Sequence, residues 1–299
     1  MTAPLTPRAP QAPRLDGGDA GLTRRHARDR AMTVLLATVM AITLAVLAWV
    51  LVYVAAQGLK YLGPAFFTQT PPGNPAQVGG GYANGIIGSL IIVGIATVIS
   101  VPVGIAAAIA IIEYPGRLGA ATSFVTDVLV GVPSIVTGAF VYALWVTRFG
   151  YSGLAGSIAL AIIMLPLVIR GTAEMLRLVP VALREASSAL GVTRARTIVS
   201  VVLPAARAGI TTGVMLAVAR AMGETAPLLL TTLGNSLFIQ ANPTQRMSTL
   251  SLQIFGDAIT GFQSAQARAW AGALTLILIV LILYIAARLT GRRLTLTRS

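Results

Sequence analysis

The chain's 299 residues are 56% hydrophobic and only 10% charged, with a formal net charge of +13 and no cysteine. Soluble domains carry about 25% charged residues, so the composition excludes an ordinary soluble protein, and the missing cysteines exclude disulfides and thiolate metal sites. In a soluble protein such a charge would suggest nucleic acid, but here its distribution along the chain matters more.

Residues 1–30 are rich in Pro, Gly and Arg without apolar periodicity, which predicts a disordered basic tail or one lying on anionic lipid. His26, the sole histidine, falls there and is read as a solvated side chain. A signal peptide is not expected, because the first apolar stretch is too long and no small-residue cleavage site follows it. Six stretches then reach the roughly 20 residues that a hydrocarbon core requires: 31–56, 85–112, 124–146, 154–169, 208–232 and 269–287. An all-α polytopic membrane protein is therefore expected. Pro102, Pro133 and Pro166 lie inside spans, where kinks are predicted. Residues 57–84 and 233–268 form loops on one side of the membrane. Within the second, residues 248–255 are expected to make a short interfacial helix.

Basic residues orient the spans. The N-terminal tail, the loop with Arg117, the segment from Arg170 to Arg207 and the C-terminus together hold 17 of the Lys and Arg residues. The opposite side holds 4, namely Lys60, Arg148, Arg246 and Arg268, and Arg220 falls within a span. That asymmetry puts both termini in the cytoplasm.

On the cytoplasmic side, residues 180–204 interrupt the apolar pattern. They read Glu185-Ala186-Ser187, three residues, Gly191, nine residues, then Val201-Val202-Leu203-Pro204. Pro180 suits a first helical turn, the next ten residues make about 15 Å of helix, and Gly191 permits a left-handed stop. Thr193 is then placed to N-cap a second helix. The expected product is a rigid knob outside the bilayer.

Several chemistries are missing. A P-loop needs a lysine after glycine, and the only lysine, Lys60 in Gln57-Gly58-Leu59-Lys60-Tyr61, stands on the wrong side in no such pattern. A single histidine in a tail supplies neither a metal site nor a positioned base. Transport or membrane scaffolding is left. Two intramembrane pairs favour transport: Arg220 with Glu224 in the fifth span, and Arg170 with Glu174 at the lower end of the fourth. Each charge costs about 2.5–3.5 kcal/mol to insert, whereas an i,i+4 pair returns only a few tenths. A role in a solute path explains the expense better. Guanidinium offers a planar fork to two oxygens of a tetrahedral oxyanion, and a neighbouring glutamate can take a proton that phosphate carries and sulfate does not. The combination leans toward phosphate.

The spacing of residues 180–204 resembles the EAA loop of importer-type ABC permeases, with Ser187 standing where that family usually has Ala. The segments Ala219 to Thr231, Gly131 to Gly138 and Glu174 to Pro180 resemble, more narrowly, the PstA family of permeases from the bacterial phosphate-specific ABC importer. The resemblance implies six transmembrane helices in the importer-type fold, with a coupling helix between spans four and five. It implies one half of the path for ATP-driven import of inorganic phosphate, in the bacterial plasma membrane, without a cofactor. Implied partners are an ABC ATPase dimer, a second, homologous PstC-like permease and an extracytoplasmic phosphate-binding protein. The expected path residues are Arg220, Glu224, Arg170, Glu174 and Thr225; the expected coupling residues are Glu185, Ala186, Gly191, Leu203 and Pro204. A sulfate or molybdate permease, a proton-coupled secondary transporter using Glu224, and a signalling scaffold using the same knob stay open from the residues alone.

Overall fold

The computed structural model describes residues 19–296, and among them every regular element is a helix. It divides into two compact units, residues 1–53 and 54–299. The described part of the first is α1 (Asp19–Gly58), whose last residues belong to the second. This helix starts well before the predicted span, so residues 19–30 of the expected disordered tail are helical. Extending an existing helix needs no new nucleus, and Ala20, Leu22, Arg24, Arg25 and Ala27 are good helix formers. His26 is exposed, as read. Residues 1–18 of the tail lie outside the described residues.

The second unit continues with α2 (Pro64–Thr68), α3 (Ala83–Glu113) and α4 (Arg117–Gly131). After a break come α5 (Ser134–Val141), a π turn (Tyr142–Val146), α6 (Thr147–Phe149) and α7 (Gly153–Arg177). Along α3 every fourth residue from Gly88 through Ile92, Ala96, Ser100 and Gly104 to Ala108 is buried. This stripe of mostly small side chains lets α3 lie along α7, the contact on which the unit is built. At Gly104 a Cβ would stand 2.6 Å from Val168 Cγ1. Side chains such as Val98, Leu216 and Ile282 stay exposed and apolar, as surface facing lipid tails does.

The three span prolines behave differently. Pro102 and Pro166 sit inside continuous helices. At Pro133 the predicted third span breaks outright, and its halves, Arg117–Gly131 and Ser134–Phe149, meet at 102°. Val132 is extended, as a residue before proline prefers, and Gly131 has already ended α4. Among the described residues five unbroken helices are long and apolar enough to cross a membrane, and the bent pair, taken together, passes the same test.

The chain then forms α8 (Val181–Ala189), α9 (Arg194–Thr197), a second π turn (Ile198–Val202) and α10 (Leu203–Met222). α11 (Ala226–Thr231), α12 (Leu250–Ala258) and α13 (Gln263–Leu296) complete it. The fifth span differs from its expected bounds of 208–232. It is one helix from Arg194 to Met222, so the second half of the knob and the span are continuous. Pro204 lacks an N–H and crowds the carbonyl one turn back, and the widened π turn absorbs that conflict. Thr193 does occupy the N-cap position, but its hydroxyl makes no capping bond. At the other end Gly223 and Pro227 prevent the helix from running on into α11.

The helix expected at 248–255 is α12, and it is packed into the protein. Leu250 to Gln253 are buried, because α12 packs on α3 and α13. Leu250 N–H donates to Ser89 Oγ at 2.9 Å, and Gln253 Nε2 donates to Asn84 Oδ1 at 2.7 Å. The two loops on this side are stapled by Arg268, only 3% exposed, which donates to Asp257 Oδ2 at 3.2 Å, Gln77 O at 2.8 Å and Pro75 O at 3.2 Å. Tyr82 Oη donates to the same carboxylate at 2.7 Å. Burial, then the Asp257 carboxylate, push its phenol well above the ordinary range, so it remains a donor. Arg268→Ala should therefore cost about 3–5 kcal/mol by stranding Asp257, and Tyr82→Phe about 1–2 kcal/mol. Thermal unfolding in detergent checks this; a larger loss for Tyr82→Phe would contradict the staple.

Candidate translocation site and coupling surface

The break in the third span opens a cavity of about 380 Å³, bounded by Gly131 to Ser134 and Thr137, by Pro166 and its neighbours on α7, and by Arg220. Beside it lies a close approach: a Cβ on Gly138 would stand 2.6 Å from Pro227 Cα, so α5 can lie against α11 only because residue 138 is glycine. Two segments distant in sequence, Gly131 to Gly138 and Ala219 to Thr231, thus build one site. Arg220 is in the last turn of α10 with its side chain 63% exposed, whereas Glu224 is only 16% exposed. Arg220 Nε and Glu224 Oε1 are 3.7 Å apart, an ion pair without a hydrogen bond. Because α10 ends at Met222, the pair closes across a helix end rather than along one helix as expected. The Arg220 side chain makes no hydrogen bond among the described residues, leaving its fork open to the cavity. Thr225 is half-buried at the start of α11 and does not line the cavity.

Arg170 and Glu174 do not pair with each other. Arg170 Nη2 donates to Asp127 Oδ1 on α4, and Glu174 Oε1 accepts from Arg177 Nη1 at 2.8 Å. Arginine preceding glutamate by four residues is the poorer orientation on a helix, and α4, packed on α7, supplies a better partner. All four side chains are more than half exposed. Asp127 was missed by sequence reasoning, although an acid inside a predicted span is itself a signal.

The knob is ordered by local bonds and then bolted to the spans. Gly191 has φ +74°; its N–H donates to Ser188 O at 3.0 Å and that of Val192 to Ser187 O at 3.2 Å, the paired bonds of a Schellman stop. Ser187 is buried, and its hydroxyl meets that of Thr197 at 2.8 Å, joining α8 to α9. A hydroxyl in place of the usual methyl is thereby satisfied. Arg184 reaches inward: Nε and Nη2 donate to Glu113 Oε1 at 3.0 and 2.8 Å, Nη1 to Val179 O at 2.7 Å and Nη2 to Leu176 O at 2.9 Å. Glu113 is buried at the end of α3, Leu176 is in the last turn of α7 and Val179 lies just beyond it. One guanidinium therefore ties α8 to two spans. Arg194 adds a cation–π contact, 4.7 Å from the Tyr114 ring centroid. The outer face presents Glu185 and Ala186 with the exposed apolar Val181, Leu183 and Leu190. Leu203 and Pro204 are half-buried at the start of α10, away from that face, and shape the helix that leaves the knob.

Residues 100–296 match the family model of the binding-protein-dependent transport system inner membrane component. The phosphate transport system permease protein PstA of Yersinia pestis is 44% identical over 268 residues, covering 88% of this chain and 90% of the relative. PstA 1 of Mycobacterium tuberculosis is 39% identical over 270 residues, covering 88% of each. The chain belongs to the PstA family of transport-system permeases. Solved structures agree on the fold of this PstA-family chain. A chain of the bacterial alginate ABC transporter superposes with a TM-score of 0.62 at 16% identity, over 91% of this chain and 97% of that one. A chain of the MetNI methionine ABC transporter superposes with a TM-score of 0.57 at 18% identity, over 71% and 93%. Of the PstA-family segments noted in the sequence, Gly131 to Gly138 supplies five of the residues that line the cavity and Ala219 to Thr231 supplies Arg220.

Proposed function

We propose that this chain forms half of the path by which inorganic phosphate is imported, driven by ATP that a separate subunit hydrolyses. The observation that carries the reading is the Arg220 guanidinium, ion-paired with Glu224 but hydrogen-bonded to nothing among the described residues, on the wall of the cavity at the broken span, in a member of a family whose relatives are named phosphate transport permeases. The path runs past Arg220 and Glu224, with Thr225 beside them, toward Arg170 and Glu174 nearer the cytoplasm. Arg220 compensates the charge of a desolvated anion, and Glu224 keeps the empty guanidinium from standing alone. Both termini and the knob are cytoplasmic, consistent with the uneven spread of basic residues.

A second, homologous permease of the PstC kind covers the open side of the cavity. An ATPase dimer docks on the apolar outer face of the knob, around Glu185, Ala186 and the Gly191 stop. ATP draws that dimer closed, Arg184 carries the displacement to α3 and α7, and the cavity opens to an extracytoplasmic phosphate-binding protein. Hydrolysis returns it inward. Reconstitution of the chain with these partners in vesicles tests the reading. Labelled phosphate should accumulate only with ATP and persist in excess sulfate or molybdate; uptake driven by a proton gradient without the ATPase would overturn it.

A further inference from the structure

We propose that the start of α5, with the hydroxyls of Thr137 and Ser134, is a second oxyanion subsite facing Arg220. It rests on the proposed phosphate path and says which groups hold the side of the anion that Arg220 leaves open. Thr137 is only 6% exposed, yet it lines the cavity and its hydroxyl has no partner among the described residues. Among the described residues the one other buried threonine with an unpartnered hydroxyl is Thr172, which does not line this cavity. The hydroxyls of Thr97, Thr122, Thr126, Thr147 and Thr231 all fold back on the carbonyl four residues earlier, at 2.7–2.9 Å. At Thr137 that carbonyl belongs to Pro133 and already accepts the N–H groups of Val136 at 3.0 Å and Thr137 at 3.3 Å. The Thr137 hydroxyl is left without a partner on the wall of the cavity.

The backbone adds to it. α5 begins at the break, so its first amides have no carbonyl of a preceding turn to bond, and the positive end of its peptide dipoles meets the same space as the guanidinium. Ser134, half-buried in the first turn, lines the cavity too. A tetrahedral oxyanion has four oxygens, and a planar fork addresses two of them. Hydroxyls suit the remainder, because each can donate to a bare oxygen or accept from a protonated one. The ligand class is a small, partly protonated tetrahedral oxyanion.

The test uses the assembled transporter with a reporter thiol at Gly131, which lines the cavity and where an added Cβ meets nothing within 4 Å. Inorganic phosphate should protect Gly131→Cys from a charged thiol reagent. Thr137→Val, which keeps the shape and removes the hydroxyl, should raise the half-protecting phosphate concentration about tenfold, and Thr137→Ser should restore it. Should Thr137→Val fail to co-purify with its partners, Thr137→Ala replaces it with the same expectation. Unchanged protection in the hydroxyl-free variant, with protection lost in Arg220→Gln, would overturn the subsite and leave the Arg220 path standing. No protection in any of them would overturn both.

Discussion

Arg220→Gln should reduce ATP-driven phosphate uptake at least a hundredfold while the chain still inserts and co-purifies with its partners. Glutamine keeps much of the length and some donor capacity, so the cavity wall survives, but the charge that offsets a dehydrated anion is gone; stranding a charge in this way costs about 3–5 kcal/mol. Arg220→Lys discriminates further. A point charge retains part of the rate, whereas a strict need for two parallel N–H bonds leaves none. Removing both members of the pair, Arg220→Gln with Glu224→Gln, is the stringent form. A pair that only neutralised itself would be dispensable as a unit, so wild-type uptake by that double variant would show that the charges serve insertion and not solute.

Comparable losses are expected at the knob, for two separable reasons. Gly191 lies at φ +74° with open space around its missing Cβ, so Gly191→Val introduces no clash and acts through the backbone alone. A β-branched residue in that region costs more than the roughly 1–2 kcal/mol of an ordinary side chain, and it releases the stop that sets the angle between α8 and α9. The variant should lose ATPase co-purification and uptake together. Arg184→Ala should act differently. The outer face is untouched, but buried Glu113 loses its partner at a cost of about 3–5 kcal/mol, and α8 is no longer tied to α3 and α7. ATPase binding should persist while phosphate moved per ATP hydrolysed falls about tenfold or more. Normal stoichiometry in Arg184→Ala would show that force reaches the spans by another route.

Local signals were legible where chain chemistry decides locally. Ala83–Glu113 and the left-handed Gly191 follow from apolar length and from the one residue that tolerates that turn. Elsewhere a distant partner decides. Pro102, Pro133 and Pro166 look alike within apolar runs, and only Pro133 breaks its helix, since there Gly131 precedes it and Gly138 is clamped on Pro227. Arg170 turns to Asp127 instead of Glu174 because α4 packs on α7. The Arg184–Glu113 strut joins residues 71 apart in sequence. α12 was expected from the sequence as a short helix, but its polar contacts to Ser89 and Asn84 inside the protein are announced by no periodicity.

Alternating access at the broken span is tested most directly by the same reporter thiol at Gly131, in a chain that otherwise has no cysteine. Membrane-impermeant reagents are applied from each side of vesicles holding the full transporter, with and without ATP trapped on the ATPase. Labelling should come from the cytoplasmic side without nucleotide and switch to the opposite side when ATP is trapped. Labelling from one side regardless of nucleotide would contradict a solute path through this cavity.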